Sequence, residues 1–155
     1  MGKEKDPVKV YDVEQLLAQG NAIRIFPRGS SMCPMFRPDK DEAVVSPLEV
    51  MNRSPKRGDV VLYRRENSIL VLHRIFKVAP EGVYFVGDNQ VEVEGPLSPK
   101  QIRGILTSFV RNGTEISVYH PLYVLYSRIW LFLRPFRHKI VHFRHFIDQT
   151  RNNVL

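Results

Sequence analysis

A chain of 155 residues is long enough for one domain with a real core and too short for two ordinary ones. Its composition, 43% hydrophobic and 25% charged, is that of a folded protein, and its single cysteine, Cys33, excludes an internal disulfide, which fits a reducing compartment. A formal net charge of +7 and a pI near 9.8 direct attention to acidic partners, nucleic acid and anionic lipid among them.

In chain order, Met1 to Val10 is charged, contains Pro7 and has no apolar run, so no secretory leader or membrane helix is expected there. Residues 12–18 predict a short helix, with Asp12 as cap, Val13, Leu16 and Leu17 on one face and Gly20 as stop. Strands are expected over 22–26, 42–45, 59–64, 68–78, 82–86, 102–110 and 115–119, most of them short and rich in Val, Ile, Leu and Phe. Glu66-Asn67 and Arg111-Asn112-Gly113 read as hairpin turns. The expected fold is mainly β, a coiled antiparallel structure with a short N-terminal helix and a C-terminal helical tail. The expected division is a body over 1–119 and a tail over 120–155.

Ser31, within Gly29-Ser30-Ser31-Met32-Cys33-Pro34, is the candidate nucleophile. A hydroxyl is a poor nucleophile at neutral pH and needs a base within hydrogen-bond reach, itself oriented by a third group. His73, in Val71-Leu72-His73-Arg74-Ile75, is the candidate base, on a strand face shared with Ile69, Val71 and Ile75; a half-buried core histidine is the competing reading. Asp88, in Gly87-Asp88-Asn89, or an acid shortly after it, is the candidate orienter. With Arg57-Gly58-Asp59-Val60-Val61, these blocks resemble in order and spacing the S24/S26 serine peptidases, the group of signal peptidases and LexA-like self-cleaving repressors, over residues 23–110. The resemblance implies a serine endopeptidase with Ser31 as nucleophile. Having His73 where the bacterial enzymes and repressors carry lysine, the chain is most similar to the histidine-base, archaeal and endoplasmic-reticulum branch.

The resemblance also places the acid several residues after the Gly-Asp-Asn block, and six beyond Asp88 lies Glu94. Asp88 and Glu94 both stand as candidates, Asp88 ranked first and Glu92 nearby. By the same resemblance the Ser31 N–H is one oxyanion donor. Gly29 stands where many signal peptidases supply a serine donor, which leaves Ser30 as a substitute; Met32 and Pro34 complete the nucleophile turn. Cys33 reads as a small filler beside the cleft. No cofactor is expected. A membrane helix at the N-terminus is usual in the family, and its expected absence here points to a cytoplasmic substrate, with the chain peripheral at the inner face of a membrane.

From residue 120 the character changes. Residues 122–133 are apolar apart from Ser127 and Arg128, while Phe136, Ile140, Phe143 and Ile147 recur at helical spacing, so two helices separated by Pro135 are expected. From residue 119 onward six Lys or Arg oppose one acid, which puts +5 of the formal +7 in this segment. A spanning helix needs about 20 apolar residues. The combination of Trp130, Tyr123, Tyr126 and basic residues instead suits an anionic membrane surface bound through 120–150, or packing on the body or on a second copy. His138, His142 and His145 lack a carboxylate or cysteine partner, and no metal site is expected.

The leading expectation is cleavage of a precursor protein or peptide through an acyl-enzyme on Ser31. An inert peptidase-fold module that binds through its basic tail is the alternative. A LexA-like self-cleaving regulator would need a lysine base, a DNA-binding domain and an Ala-Gly or Cys-Gly cleavage dipeptide, none of which is found. Nucleic acid is disfavoured because the charge is clustered among apolar residues.

Overall fold

The computed structural model describes residues 12–66 and 69–152, the side chains of 137–152 excepted. The expected feature at Met1 to Val10, Asn67 of the first expected turn and Ser68 at the start of the strand expected over 68–78 lie outside the described residues. The described residues form a mainly antiparallel eight-stranded sheet with a short N-terminal helix and a long C-terminal one. Helix α1 is Val13–Ala18, capped by Asp12, whose carboxylate accepts from the Glu14 and Gln15 N–H groups. The strands are β1 (Ile23–Ile25), β2 (Glu42–Ser46), β3 (Val60–Arg64), β4 (Leu70–Ala79), β5 (Gly82–Val86), β6 (Glu94–Leu97), β7 (Ile102–Arg111) and β8 (Thr114–Ser117). They are ordered β1-β2-β7-β3-β4-β5-β6, with β8 also pairing β7.

Seven of these strands follow the apolar runs of the sequence. The eighth, β6, was not expected, because Glu94-Gly95-Pro96-Leu97 contains two strand breakers. It forms because it closes an edge of the sheet, where the missing proline N–H costs no inner ladder bond. Its register sets Glu94 opposite Phe85.

Two apolar clusters fill the sheet. One joins Met32, Met35 and Phe36 to Val45, Val60, Leu62 and Leu106; the other joins Val61, Tyr63, Ile75, Phe85 and Ile105. Because side chains alternate along a strand, β4 sends His73 and Arg74 to opposite faces.

The tail is one helix, α2 (Pro121–Asn152), rather than two. Pro135 removes one backbone hydrogen bond, to the carbonyl four residues earlier, without ending the helix. The first half of α2 packs on the body through Tyr123, which is buried, and through Ser127, whose Oγ accepts from Arg74 at 2.7 Å.

Arg74 and Asp88 form a fully buried ion pair, with Nε and Nη2 donating to the two carboxylate oxygens at 2.8 and 2.7 Å. The second terminal nitrogen of Arg74 donates to the Gly58 carbonyl at 2.8 Å. Burial opposes the charge on Arg74, and the bonds it donates to Asp88 outweigh burial and raise the guanidinium pKa. Removing one member strands the other without solvent, so Asp88→Leu is expected to lower stability by about 3–5 kcal/mol. Lys77→Ala, at the exposed Lys77–Glu81 pair, is expected to change it by less than about 1 kcal/mol. Urea denaturation of both variants measures the contrast, and equal losses would contradict it.

Candidate active site

The turn that carries Ser31 is held from beneath. Met32, Met35 and Phe36 are buried in the core, and the Phe36 N–H donates to the Met32 carbonyl at 3.0 Å, so the turn winds tightly around its apolar side chains. Gly29 enters it with φ of +73°, a left-handed conformation that glycine adopts without strain. On the far side, the Asn89 N–H donates to the Ser31 carbonyl at 2.7 Å. Gly87 is required there: a Cβ at that position would lie 2.5 Å from the same carbonyl oxygen. The Gly87-Asp88-Asn89 loop is therefore a bracket for Ser31.

Ser31 Oγ lies 3.1 Å from His73 Nε2. The other ring nitrogen, Nδ1, lies 3.2 Å from the Tyr63 hydroxyl, and that hydroxyl donates to Glu94 Oε2 at 2.6 Å. Arg65 in turn donates to both oxygens of Glu94, at 2.6 and 2.5 Å. The connected groups thus run Ser31, His73, Tyr63, Glu94, Arg65.

This chain of bonds determines the histidine tautomer. Glu94 is held below its ordinary pKa: burial works the other way, and the bonds from Arg65 and Tyr63 prevail, so it is a carboxylate that only accepts. Burial, with the bond to Glu94, raises the Tyr63 hydroxyl well above its usual range, so it keeps its proton. That single proton goes to Glu94, and the Tyr63 oxygen is left to accept from His73 Nδ1–H. The Nε2 lone pair consequently faces the Ser31 hydroxyl. Burial also lowers the His73 pKa to about 4, which leaves the ring neutral at pH 7 with Nε2 unprotonated.

The structure brings Ser31, His73 and Glu94 into one network and gives Asp88 a different place. Asp88 pairs with Arg74 and also accepts from the Tyr126 hydroxyl at 3.0 Å, while both ring nitrogens of His73 are taken by Ser31 and Tyr63. Asp88 thus braces the loop under Ser31 and Glu94 connects to His73. Glu92 is exposed on the same loop. Ser30 and Pro34 are exposed, and the Ser30 carbonyl accepts the Cys33 N–H at 3.0 Å. The Ser31 N–H has no acceptor among the described residues. Cys33 donates its thiol to the Phe36 carbonyl at 3.3 Å.

Tyr63 and Arg65 were not singled out from sequence. The signal for Tyr63 was a lone hydroxyl in the apolar run Val60-Val61-Leu62-Tyr63, at the parity that shares a sheet face with His73 once β3 and β4 pair Val61 with His73. Arg57-Gly58-Asp59 also has a structural explanation, since the Gly58 carbonyl holds Arg74 and Asp59 is bound by Arg53 at 2.7 and 2.9 Å.

A groove of about 690 Å³ opens beside Ser31, lined by Ile25, Phe26, Met32, Leu62, Leu70 and Leu72 among others. It follows the end of β1, which occupies the sheet edge opposite β6. Among the described residues no group of His, Cys, Asp and Glu could hold a metal ion; the side chains of His138, His142 and His145 lie outside them. No family model, curated protein or solved structure matches the chain.

The burial of His73 makes a pH prediction. Its folded pKa lies below its unfolded value of 6.5, so its contribution to stability is fully present above pH 6.5 and is lost as pH falls toward 4. An NMR titration of the His73 ring is expected to show a midpoint near 4, and a midpoint near 6.5 would mean the ring is solvated.

Proposed function

We propose that this protein is a serine endopeptidase of the signal peptidase type, acting on a precursor protein or peptide. The observation that carries the reading is the 3.1 Å contact between Ser31 Oγ and the Nε2 of a histidine whose proton is held on Nδ1. The resemblance of the four sequence blocks to the S24/S26 peptidases supports it independently.

In this reading Ser31 Oγ attacks the scissile carbonyl carbon as its proton passes to His73 Nε2. The oxyanion forms against the Ser31 N–H. Collapse breaks the C–N bond, and His73 returns the proton to the leaving amine. Water then attacks the acyl-enzyme with His73 again as base, which releases the carboxylate product and restores the Ser31 hydroxyl. Glu94 acts through Tyr63, steadying the imidazolium without touching it.

The substrate is an extended segment. The edge position of β1 suits strand addition, in which backbone bonds supply affinity and the apolar groove takes alternate side chains. Among the described residues no helix is long and apolar enough to cross a membrane. The proposed location is the cytoplasm, at the inner face of a membrane.

Ser31→Ala and His73→Ala are each expected to abolish cleavage of precursor peptides, followed by mass spectrometry, while thermal melting shows an intact fold. Full activity in either variant would overturn the assignment. Tyr63→Phe is expected to lower kcat by about 100-fold with KM little changed, because the ring loses the acceptor that holds its tautomer. The pH profile of kcat/KM distinguishes this from a packing defect, since only loss of the tautomer constraint shifts its acidic limb.

A further inference from the structure

Helix α2 has two apolar faces, and the body covers one. Tyr126 and Trp130 stack on each other at 5.4 Å on the covered face, where Trp130 Nε1 donates to the Asp88 carbonyl at 3.0 Å. Arg134 donates to the Val91 carbonyl at 2.6 Å on the same side. The other face exposes Leu122, Leu125, Ile129, Phe132, Leu133 and Phe136, with Leu122 at 70% and Phe132 at 73%. Their spacing of three and four residues places them on one stripe, about 21 Å long from first to last.

The charge around this stripe favours one occupant. From Tyr119 to Ile147 the sequence contains no Asp or Glu, while Arg128, Arg134, Arg137, Lys139 and Arg144 are all cationic. Exposed Lys56 and Arg57 line a cavity along α2 together with Arg128, and the acid in that cavity, Asp59, is already bound by Arg53. A second copy would set cation against cation along both helices. An anionic lipid surface offers apolar depth for the stripe and negative headgroups for its flanks.

We infer that α2 lies in the plane of an anionic membrane surface, with Leu122 to Phe136 at the acyl boundary and Lys56, Arg57 and Arg128 among the headgroups. The covered face of the same helix holds the loop that brackets Ser31, so the nucleophile turn stands one loop away from the lipid-bound element. A precursor anchored in that surface would meet the groove without diffusing through bulk solvent. The binding itself does not depend on the peptidase reading.

The test is co-sedimentation of the full chain with vesicles of phosphatidylcholine alone and of phosphatidylcholine mixed with phosphatidylglycerol, at low and high salt. Wild type and Ser31→Ala are expected to bind the anionic vesicles equally, with affinity falling at high salt. Phe132→Asp and Leu122→Asp are each expected to weaken binding by about tenfold or more, as burial of one large apolar side chain is lost. Arg128→Ala is expected to weaken it severalfold on anionic vesicles only. Thermal melting confirms that these exposed substitutions leave the fold intact, and Leu122→Asp serves if Phe132→Asp does not fold. Equal binding to both vesicle types, binding indifferent to the stripe substitutions, or no vesicle binding would each overturn the inference. So would a dimer, seen by light scattering, that Leu122→Asp dissolves while vesicle binding is absent.

Discussion

Arg74 is a full charge placed where water does not reach, and satisfying it organises much of the molecule. A buried guanidinium is tolerated only when its donors find acceptors in good geometry. Here the acceptors come from three separate segments: both carboxylate oxygens of Asp88, the Gly58 carbonyl and the Ser127 hydroxyl. Each segment is fixed because Arg74 needs it. The loop at Asp88 brackets the Ser31 carbonyl, Gly58 precedes β3, and Ser127 lies on α2. Such a pair contributes more to a unique arrangement than to net stability, since desolvation consumes much of its attraction.

One residue earlier on the same strand, His73 faces the cleft. The alternation of β4 thus separates the two roles: Arg74 holds the bracket, and His73 is the group that receives the proton in the proposed reaction. The two carboxylates divide in the same way. Asp88 lies deep and is spent on Arg74, whereas Glu94 sits on an edge strand, half-buried, held by Arg65 and in touch with the ring through Tyr63. Interposing a phenol lengthens the connection from acid to imidazole. It suits a glutamate on β6, because Tyr63 is stacked on Phe85 at 4.1 Å and β6 pairs Glu94 with that same Phe85. Sheet register and ring stacking together place the hydroxyl between Glu94 and His73.

Helix α2 joins the site to the outer surface of the molecule. Its inner face completes the environment of Arg74 and Asp88 through Ser127, Tyr126 and Trp130. Its outer face leaves large apolar side chains uncovered. A helix that only buttressed the body would need one apolar stripe, and this one has a second on the side where the body offers no cover.

Local patterns in the sequence determined most of the β-structure and the capped first helix, and the resemblance of its ordered blocks to the S24/S26 peptidases pointed to Ser31 and His73, 42 positions apart, as partners. These were legible because apolar alternation, turn dipeptides and the Ser-Met-x-Pro block are properties of neighbouring residues. Tertiary structure decided the rest. Whether Asp88 or Glu94 connects to His73 depended on Arg74, which is adjacent to His73 in sequence yet on the other face of β4, where it claims Asp88. Strand β6 formed across Gly95-Pro96 because an edge position forgives a missing donor, a fact about neighbours in the sheet and not about the segment itself. Pro135 failed to divide the tail for a related reason, since one lost hydrogen bond does not end a helix of this length. Tyr63 acquired its role only when strand pairing brought its hydroxyl between two groups 21 positions apart, His73 and Glu94. Hydrogen bonds of that kind act over about three ångströms, and no one-dimensional pattern encodes which residues will come that close.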